Sequence, residues 1–397
     1  MDCKSVPSSV PSSVPSSVLP VPSSTNSIPI VEPPRDLHVL ELFSGIGGMR
    51  KALQQSLANN PSYNLSSFTA VESNDICNQC YEHNFALDTS VTSKVLRRNI
   101  EQLKASDVAG KNVWTMSPPC QPFTKTKGSK ELGSLDARSR AFANLMMLLE
   151  TVPSPPEFIF LENVKPFNSS SVHVAFNDVL ISRGYVWTEY LLSPLQFWIP
   201  NNRTRFYISA RRTRKDGEGY RNEEIVNEPR DPPPKVEEGV YENFVPMCCA
   251  CPISDFILSD EVLLELYGDM FESSLVVSKE TLSKDWARGL SIVGLDDCVT
   301  FCFTSSYGKT YHKSSGSLFS RVTRRGKDVK RVSDMAAEHE GNIRLFAPEE
   351  LLRIFGFGEE YKYPEGMRLK SRYKLIGQSV NVKVVDYVMR GLFEQIT

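Results

Sequence analysis

The sequence predicts an α/β fold, a doubly wound and mostly parallel sheet with helices on both faces and a smaller segment inserted late in the chain. Three observations predict it. Short apolar runs alternate with helix-like stretches from His38 onward, the rhythm of strand–helix–strand units. A glycine-rich turn, "FSGIGG" at Phe43–Gly48, separates the first run from the first helical stretch. "FIFLENV" at Phe158–Val164 opens as an unbroken apolar run, as in a strand covered on both faces.

The elements follow in order. Residues 1–35 repeat a valine-proline-serine-serine unit. Such a stretch cannot bury enough apolar surface to offset its ordering entropy, so it is expected to be a disordered tail, with structure beginning near Asp36. "HVLELF" (His38–Phe43) is the first strand, and the helix after the glycine turn is expected to run to about Ala58. "FTAVES" (Phe68–Ser73) is the next strand, and "ICNQCYEHNF" reads as a helix with Asp75 as N-cap. "NVWTMS" (Asn112–Ser117) is a strand that runs into "MSPPCQPFT". Prolines there fix their own φ and restrict the residue before them, making a stiff turn that holds Cys120. "FIFLENV", "EYLLSP" (Glu189–Pro194) and "RFYISARR" (Arg205–Arg212) complete the strands. After Arg212 the rhythm breaks into a polar, proline-rich stretch. Residues 213–341 are therefore expected to form a small inserted domain, with 36–212 and 342–397 forming the main one. "APEELLRIFGF" is a helix started by Pro348, and "GQSVNVKVVDYVMRGLF" (Gly377–Phe393) is a turn followed by a final helix.

The 397 residues, 41% apolar and 23% charged, suit one large domain and a smaller one. A net charge of −2 excludes a strongly basic nucleic-acid-binding chain but leaves room for a local basic patch. No apolar run is long enough to span a bilayer, and no secretory signal is read. The nine cysteines are expected to be reduced thiols in the cytoplasm or nucleus.

Gly45, Gly47 and Gly48 allow a tight turn and close backbone approach of a ligand at a helix N-terminus. Glu72, at the end of the second strand, is placed to hold ribose hydroxyls. The glycine-x-glycine-glycine order after phenylalanine-serine differs from the dinucleotide fingerprint and suits S-adenosylmethionine. In an open α/β sheet, ligands gather beyond the carboxyl ends of the strands. The glycine turn, Glu72, Cys120 and Glu162 should then line one crevice. A thiol, an acid and a methyl donor together suit methylation of cytosine carbon 5, which becomes nucleophilic once a thiolate adds at carbon 6. Glu162 would assist at ring nitrogen 3. Arg203 and Arg205, in "NNRTR", are expected to point to one face of a strand and to favour the Cys120 thiolate.

"ELFSGIGG", "SPPCQPFT", "LENV", "NNRTR" and "GQSVNVKV" occur in the order of the cytosine-C5 methyltransferase motifs, and the chain resembles that family from His38 to its end. "CFTSSYG" at Cys302–Gly308 is similar to the signature of the tRNA-aspartate branch, which resembles DNA methyltransferases in fold. The resemblance implies an S-adenosylmethionine-dependent methyltransferase sheet with a small target-recognition domain at 213–341. It implies Cys120 as nucleophile, Glu162 as acid and Arg203 and Arg205 as their arginine pair. It implies Ile46, Gly47, Gly48, Glu72, Ile100, Glu101 and Ser117 at the cofactor, with Gln378 standing where the family has asparagine. Lys125, Lys127, Cys302, Phe303 and Thr304 fall to the substrate. The expected substrate is a cytosine in the anticodon loop of tRNA, tRNA-Asp by the resemblance, methylated by a monomer. The alternatives are a DNA cytosine-C5 methyltransferase and a catalytically silent RNA-binding protein of the same fold.

Cys77 and Cys80 are read as core residues rather than zinc ligands. Arg211–Arg221, with five basic and two acidic residues, and Arg321–Arg331, with six basic and one acidic, are candidate phosphate contacts flanking the crevice. Lys125, Lys127 and Lys130 could belong to a loop closing over a flipped base.

Overall fold

Strand β1 (Arg35–Leu42) sits in the middle of the sheet because its side chains are apolar on both faces. Leu37 and Val39 enter one hydrophobic cluster, and Leu40 and Leu42 enter the other. This computed structural model describes residues 33–119, 137–222, 224–229, 251–321 and 341–394. The repeat expected to be disordered lies outside the described residues as far as residue 32.

Next come α1 (Gly48–Leu57), β2 (Tyr63–Glu72), α2 (Asp75–Phe85), β3 (Thr92–Arg97), α3 (Ala105–Val108) and β4 (Val113–Met116). After them come α4 (Ala137–Thr151), β5 (Phe158–Val164), α5 (Ser171–Ser182), β6 (Tyr185–Leu192), β7 (Asn201–Asn202), β8 (Arg205–Arg212) and β9 (Tyr220–Arg221). The main sheet has the order β3-β2-β1-β4-β5-β8-β6-β9. β3 to β5 are parallel, and β8 runs antiparallel to both β5 and β6. The winding reverses between β1 and β4, which opens a crevice beyond their carboxyl ends.

Two details depart from expectation. Asn74, not Asp75, caps α2, its side chain accepting from Ile76 N at 3.1 Å. The pairing also continues past Arg212, where β9 joins β6.

Residues 251–321 add α6 (Asp260–Tyr267), α7 (Met270–Leu275), α8 (Lys279–Leu282), β10 (Ile292–Val293), β11 (Thr300–Phe301) and β12 (Leu318–Ser320). β10 and β12 form a small sheet with β13 (Ile343–Arg344). Leu263, Phe271 and Leu275 share one hydrophobic cluster with Leu37 and Phe158 of the main sheet. The chain ends in α9 (Pro348–Ile354), α10 (Leu369–Gln378) and α11 (Val382–Phe393). Asn381 caps α11 by accepting from Val384 N at 3.2 Å. α11 covers one face of the sheet, where Phe393 meets Phe158 and Tyr63 with ring centroids 4.8 and 5.3 Å away. Among the described residues no helix is long and apolar enough to cross a membrane.

Candidate active site

The turn after β1 is built for close approach. Phe43 has φ 55°, uncommon for a residue with a side chain, and Gly47 caps α1 at φ 83°. A Cβ on Gly47 would stand 2.3 Å from the Phe85 ring. One on Gly45 would meet nothing nearer than 3.9 Å, so the space above that residue is open. Ser44 Oγ is buried without a hydrogen-bond partner among the described residues. The partly buried Glu72 carboxylate accepts from Gly45 N at 3.2 Å and Asn74 N at 2.8 Å, tying the turn to the end of β2. A carboxylate has about four acceptor sites, so capacity for hydroxyl donors remains.

Around this turn, Ile46 is buried and its carbonyl accepts from Tyr361 Oη at 2.6 Å. Ser117 Oγ donates to Phe43 O at 3.4 Å, joining the ends of β4 and β1. Ile100 is buried, with its carbonyl held by Asn144 Nδ2 at 3.0 Å. Glu101 is half-buried and lies 3.6 Å from Arg140. Gln378 is exposed at the last position of α10.

The second half of the site comes from period-two geometry in β5. Phe158 and Phe160 enter one cluster, and Glu162 continues their face to the carboxyl end. β8 pairs there with Tyr207 opposite Glu162 and Arg205 opposite Val164. Arg205 Nε reaches Glu162 Oε1 at 3.4 Å. β11 runs parallel to β7 with Thr300 beside Asn201 and Phe301 beside Asn202. The next pair in that register is Cys302 beside Arg203. Cys302 Sγ accepts from Arg203 Nη1 at 3.4 Å and lies 3.9 Å from Arg205 Nη2. Arg203 is buried and also donates to Phe303 O at 3.0 Å, Gly377 O at 3.4 Å and Ser379 O at 2.7 Å.

The charges shift accordingly. Burial raises the Glu162 carboxyl above its ordinary range, against the opposing pull of Arg205 and Arg203. Burial also resists ionisation of Cys302, but Arg203 and Arg205 prevail and hold the thiol below its usual range. An acid of raised pKa, a fixed guanidinium and a thiol of lowered pKa thus converge beyond the carboxyl ends of the strands.

Residues 37–394 match the C-5 cytosine-specific DNA methylase family. The chain belongs to that family. Two relatives of this methylase come from different hosts. A tRNA (cytosine(38)-C(5))-methyltransferase of Spodoptera frugiperda is 31% identical, the match covering 90% of this chain and 99% of that protein. A DNA (cytosine-5)-methyltransferase of Dictyostelium discoideum is also 31% identical, over 90% and 94%. The solved Entamoeba histolytica methyltransferase EhMeth superposes with a TM-score of 0.72 at 28% identity, covering 90% and 98% of the two chains.

In this methylase the predicted base-side residues separate by where the structure places them. Cys120, Lys125, Lys127 and Lys130 lie outside the described residues. The turn leading to Cys120 is held where Asn163 Nδ2 donates to Pro118 O at 3.3 Å. Glu162, Arg203, Arg205 and Cys302 come together, though Arg203 lies between β7 and β8 rather than on one strand with Arg205. Thr304 is half-buried beside them, its amide bonded to Ser315 O at 3.2 Å.

Phe303 is fully buried, edge-on to Tyr307 and Phe346, so its ring packs the segment. The Arg211–Arg221 run, by contrast, corrects an expectation. Arg211 pairs with Phe158 at the amino end of β5, four residues or about 13 Å along the strand from Glu162. Three of the run's charges are also engaged internally, Arg211 with Glu157, Arg212 with Asp216 and Arg221 with Glu189. The run at Arg321–Arg331 is described only at Arg321, which faces Asp260 and Glu272. Cys77 and Cys80 are buried in the core, where burial pushes Cys77 to about 12 and Cys80 to about 11.

Sequence reasoning missed Gly377 as a contact. A Cβ there would stand 2.2 Å from the Thr304 carbonyl carbon. Its position before Gln378 in the last motif was the available signal.

Proposed function

We propose that this protein transfers a methyl group from S-adenosylmethionine to carbon 5 of a cytosine in the anticodon loop of tRNA, with tRNA-Asp as the substrate. The observation that carries the reading is the cluster Glu162–Arg205–Cys302–Arg203, which seats the signature cysteine of the tRNA branch against the catalytic acid and arginines. The tRNA methyltransferase named among the relatives supports it. An anticodon loop also supplies unstacked bases, which a duplex would have to unpair at a cost.

The residues present fit the cofactor. The open space over Gly45, the unpartnered Ser44 Oγ and the remaining acceptor capacity of Glu72 suit a ligand carrying hydroxyl and amine donors. S-adenosylmethionine supplies an electrophilic methyl group when bound. Glu72 would hold the ribose, and Ile100 would pack against the adenine side. On the base side, the Cys120 thiolate adds to carbon 6 while Glu162 gives a proton to ring nitrogen 3. Arg205 orients Glu162. After methyl transfer, carbon 5 gives its proton to a solvent base, the ring double bond re-forms, the sulfur leaves as thiolate and nitrogen 3 returns its proton to Glu162.

The test is wild-type protein and Cys120→Ala on tRNA carrying 5-fluorocytosine, with S-adenosylmethionine present. Fluorine blocks the last step, so the wild type should form a denaturation-resistant adduct and the variant none. An adduct that survives loss of Cys120 but vanishes in Cys302→Ala would overturn the mechanism. The DNA-methylating relative favours a second reading. Methyl transfer to duplex DNA with none to tRNA would select it.

A further inference from the structure

The segment that carries Cys302 continues into a loop closed at its base. Thr304 N donates to Ser315 O at 3.2 Å, and Phe301 N donates to Ser317 Oγ at 2.9 Å. Between these stems Tyr307 folds inward and donates to Ser317 O at 2.7 Å. Lys309, Thr310, His312 and Ser314 face solvent. At the tip, Tyr311 lies alongside Trp286, the rings 6.4 Å apart and inclined by 23°. Trp286 stands on the short turn Asp285–Gly289 and is 48% exposed. A tryptophan that open adds little to the core.

The charge around this pair has one sign on the loop side. From Phe303 to Gly316 the sequence holds Lys309 and Lys313 and no acidic residue, in a chain whose net charge is −2. Tyr311 is eight positions beyond Phe303, whose carbonyl Arg203 holds, so the tip lies within about 29 Å of the arginine cluster along the chain. That is a span of a few nucleotides.

We propose that Trp286 and Tyr311 form a stacking platform for an unpaired nucleobase of the RNA substrate, in the same loop as the target cytosine, with Lys309 against its phosphate. The proposal rests on the tRNA reading above. A flat aromatic face beside a lysine suits an unstacked base joined to a phosphate. Bases in a duplex keep their faces covered and would not reach it.

The test uses the full chain and an anticodon stem-loop RNA, with a series in which each loop nucleotide in turn is abasic. Trp286→Ala and Tyr311→Leu should each weaken RNA binding roughly tenfold, the scale of one lost base–aromatic stack. KM should rise with kcat within about twofold, because the platform binds and does not react. Trp286→Phe should restore most of the affinity. One abasic position should cost the wild type about tenfold and cost Trp286→Ala nothing more. Calorimetry with S-adenosylmethionine reports folding of each variant. If Trp286→Ala fails to fold, the Trp286→Phe and Tyr311→Leu arms of the abasic series decide.

Binding within twofold of wild type, or equal losses at every abasic position, overturns the platform. Wild-type protein that methylates no RNA overturns the tRNA reading itself, and the platform with it. RNA methylation without the coupled position removes the platform alone.

Discussion

At the scale of single residues, the site depends on groups held where water would not leave them. Gly377 is one. Its missing side chain lets α10 lie against the backbone of Thr304. Backbone cannot yield as a flexible side chain does, so Gly377→Ala should cost about 3 kcal/mol, at the upper end of overpacking, and lower activity at least tenfold. A urea midpoint equal to that of wild type would show that the contact relaxes freely. Glu41, inside β1, is another. It accepts from Arg50 N at 3.1 Å and Tyr81 Oη at 2.8 Å, and burial raises its carboxyl from 4.5 to about 7. A raised carboxyl pKa in the folded state stabilises the protein below the unfolded pKa, and that stability is lost as pH rises through the folded value. Between pH 4.5 and about 7 the wild type should therefore lose on the order of 3 kcal/mol from this group. Glu41→Gln should flatten that slope, as read from urea unfolding at pH 5 and pH 7.5. Gly377 had only its place in the last motif as a signal, and Glu41 had none. A glutamate between leucines looks ordinary until the packing partner from a distant segment is known.

At the scale of elements, the two-residue ladder of β7 and β11 has more effect on the site than its length suggests. Asn201 is buried, and its Nδ2 donates to Thr300 Oγ1 and Phe301 O, both at 3.1 Å. This sets the register that delivers Cys302 to Arg203. Asn201→Ala should cost about 1–3 kcal/mol of stability, since buried partners lose their hydrogen bonds. It should also raise the pH at which Cys302 is alkylated by iodoacetamide, because the arginines no longer hold the thiol. An unchanged alkylation profile would mean that the arginines find Cys302 without the ladder. The longer elements were readable because their patterns are strong. β5 opens with four apolar residues, Phe158 to Leu161, and α11 buries Val382, Val385, Met389 and Leu392 at helical spacing. β3 was not readable. It is an edge strand, mostly exposed, and "TSKVLR" shows neither alternation nor an apolar run. The facing arginines could be read from "NNRTR", but their partner could not. Cys302 reaches Arg203 across 99 residues of sequence, and spacing alone says nothing of such a pairing.

At the scale of the whole molecule, the late-inserted segment shares a core with the main sheet and is tied to α9 by a buried charge. Glu350 accepts from Arg344 at 2.7 and 2.8 Å, from Leu258 N at 2.9 Å and from Ala347 N at 2.8 Å, with no exposure of its own. Glu350→Ala leaves Arg344 buried and unpaired, and should cost about 3–5 kcal/mol. The double variant Glu350→Leu with Arg344→Met should recover much of that, because replacing both partners removes the unpaired charge. Equal losses in the single and double variants, measured by calorimetric unfolding, would place the stabilisation in the backbone contacts instead. The overall class was legible because alternating apolar runs and a glycine turn leave few other architectures. The boundary after Arg212 was drawn from a change in composition, and composition does not record that β9 rejoins the sheet.

The clasp between Arg203 and the carbonyls of Gly377 and Ser379 has a consequence in time. Arg203 precedes Gly377 by 174 residues. At a synthesis rate of about 5–20 residues per second, the guanidinium exists for roughly 10–35 s before its acceptors are made. During that interval the face that α11 will cover is bare, and once Cys302 has been made its pocket has no back wall. The nascent chain is then at its stickiest, and a ribosome paused before Leu369 would prolong that state. Arrested chains ending there should be cut readily by protease and should fail to retain S-adenosylmethionine. Chains extended through Phe393 should resist cleavage and retain it, so that synthesis of α10 and α11 closes the site.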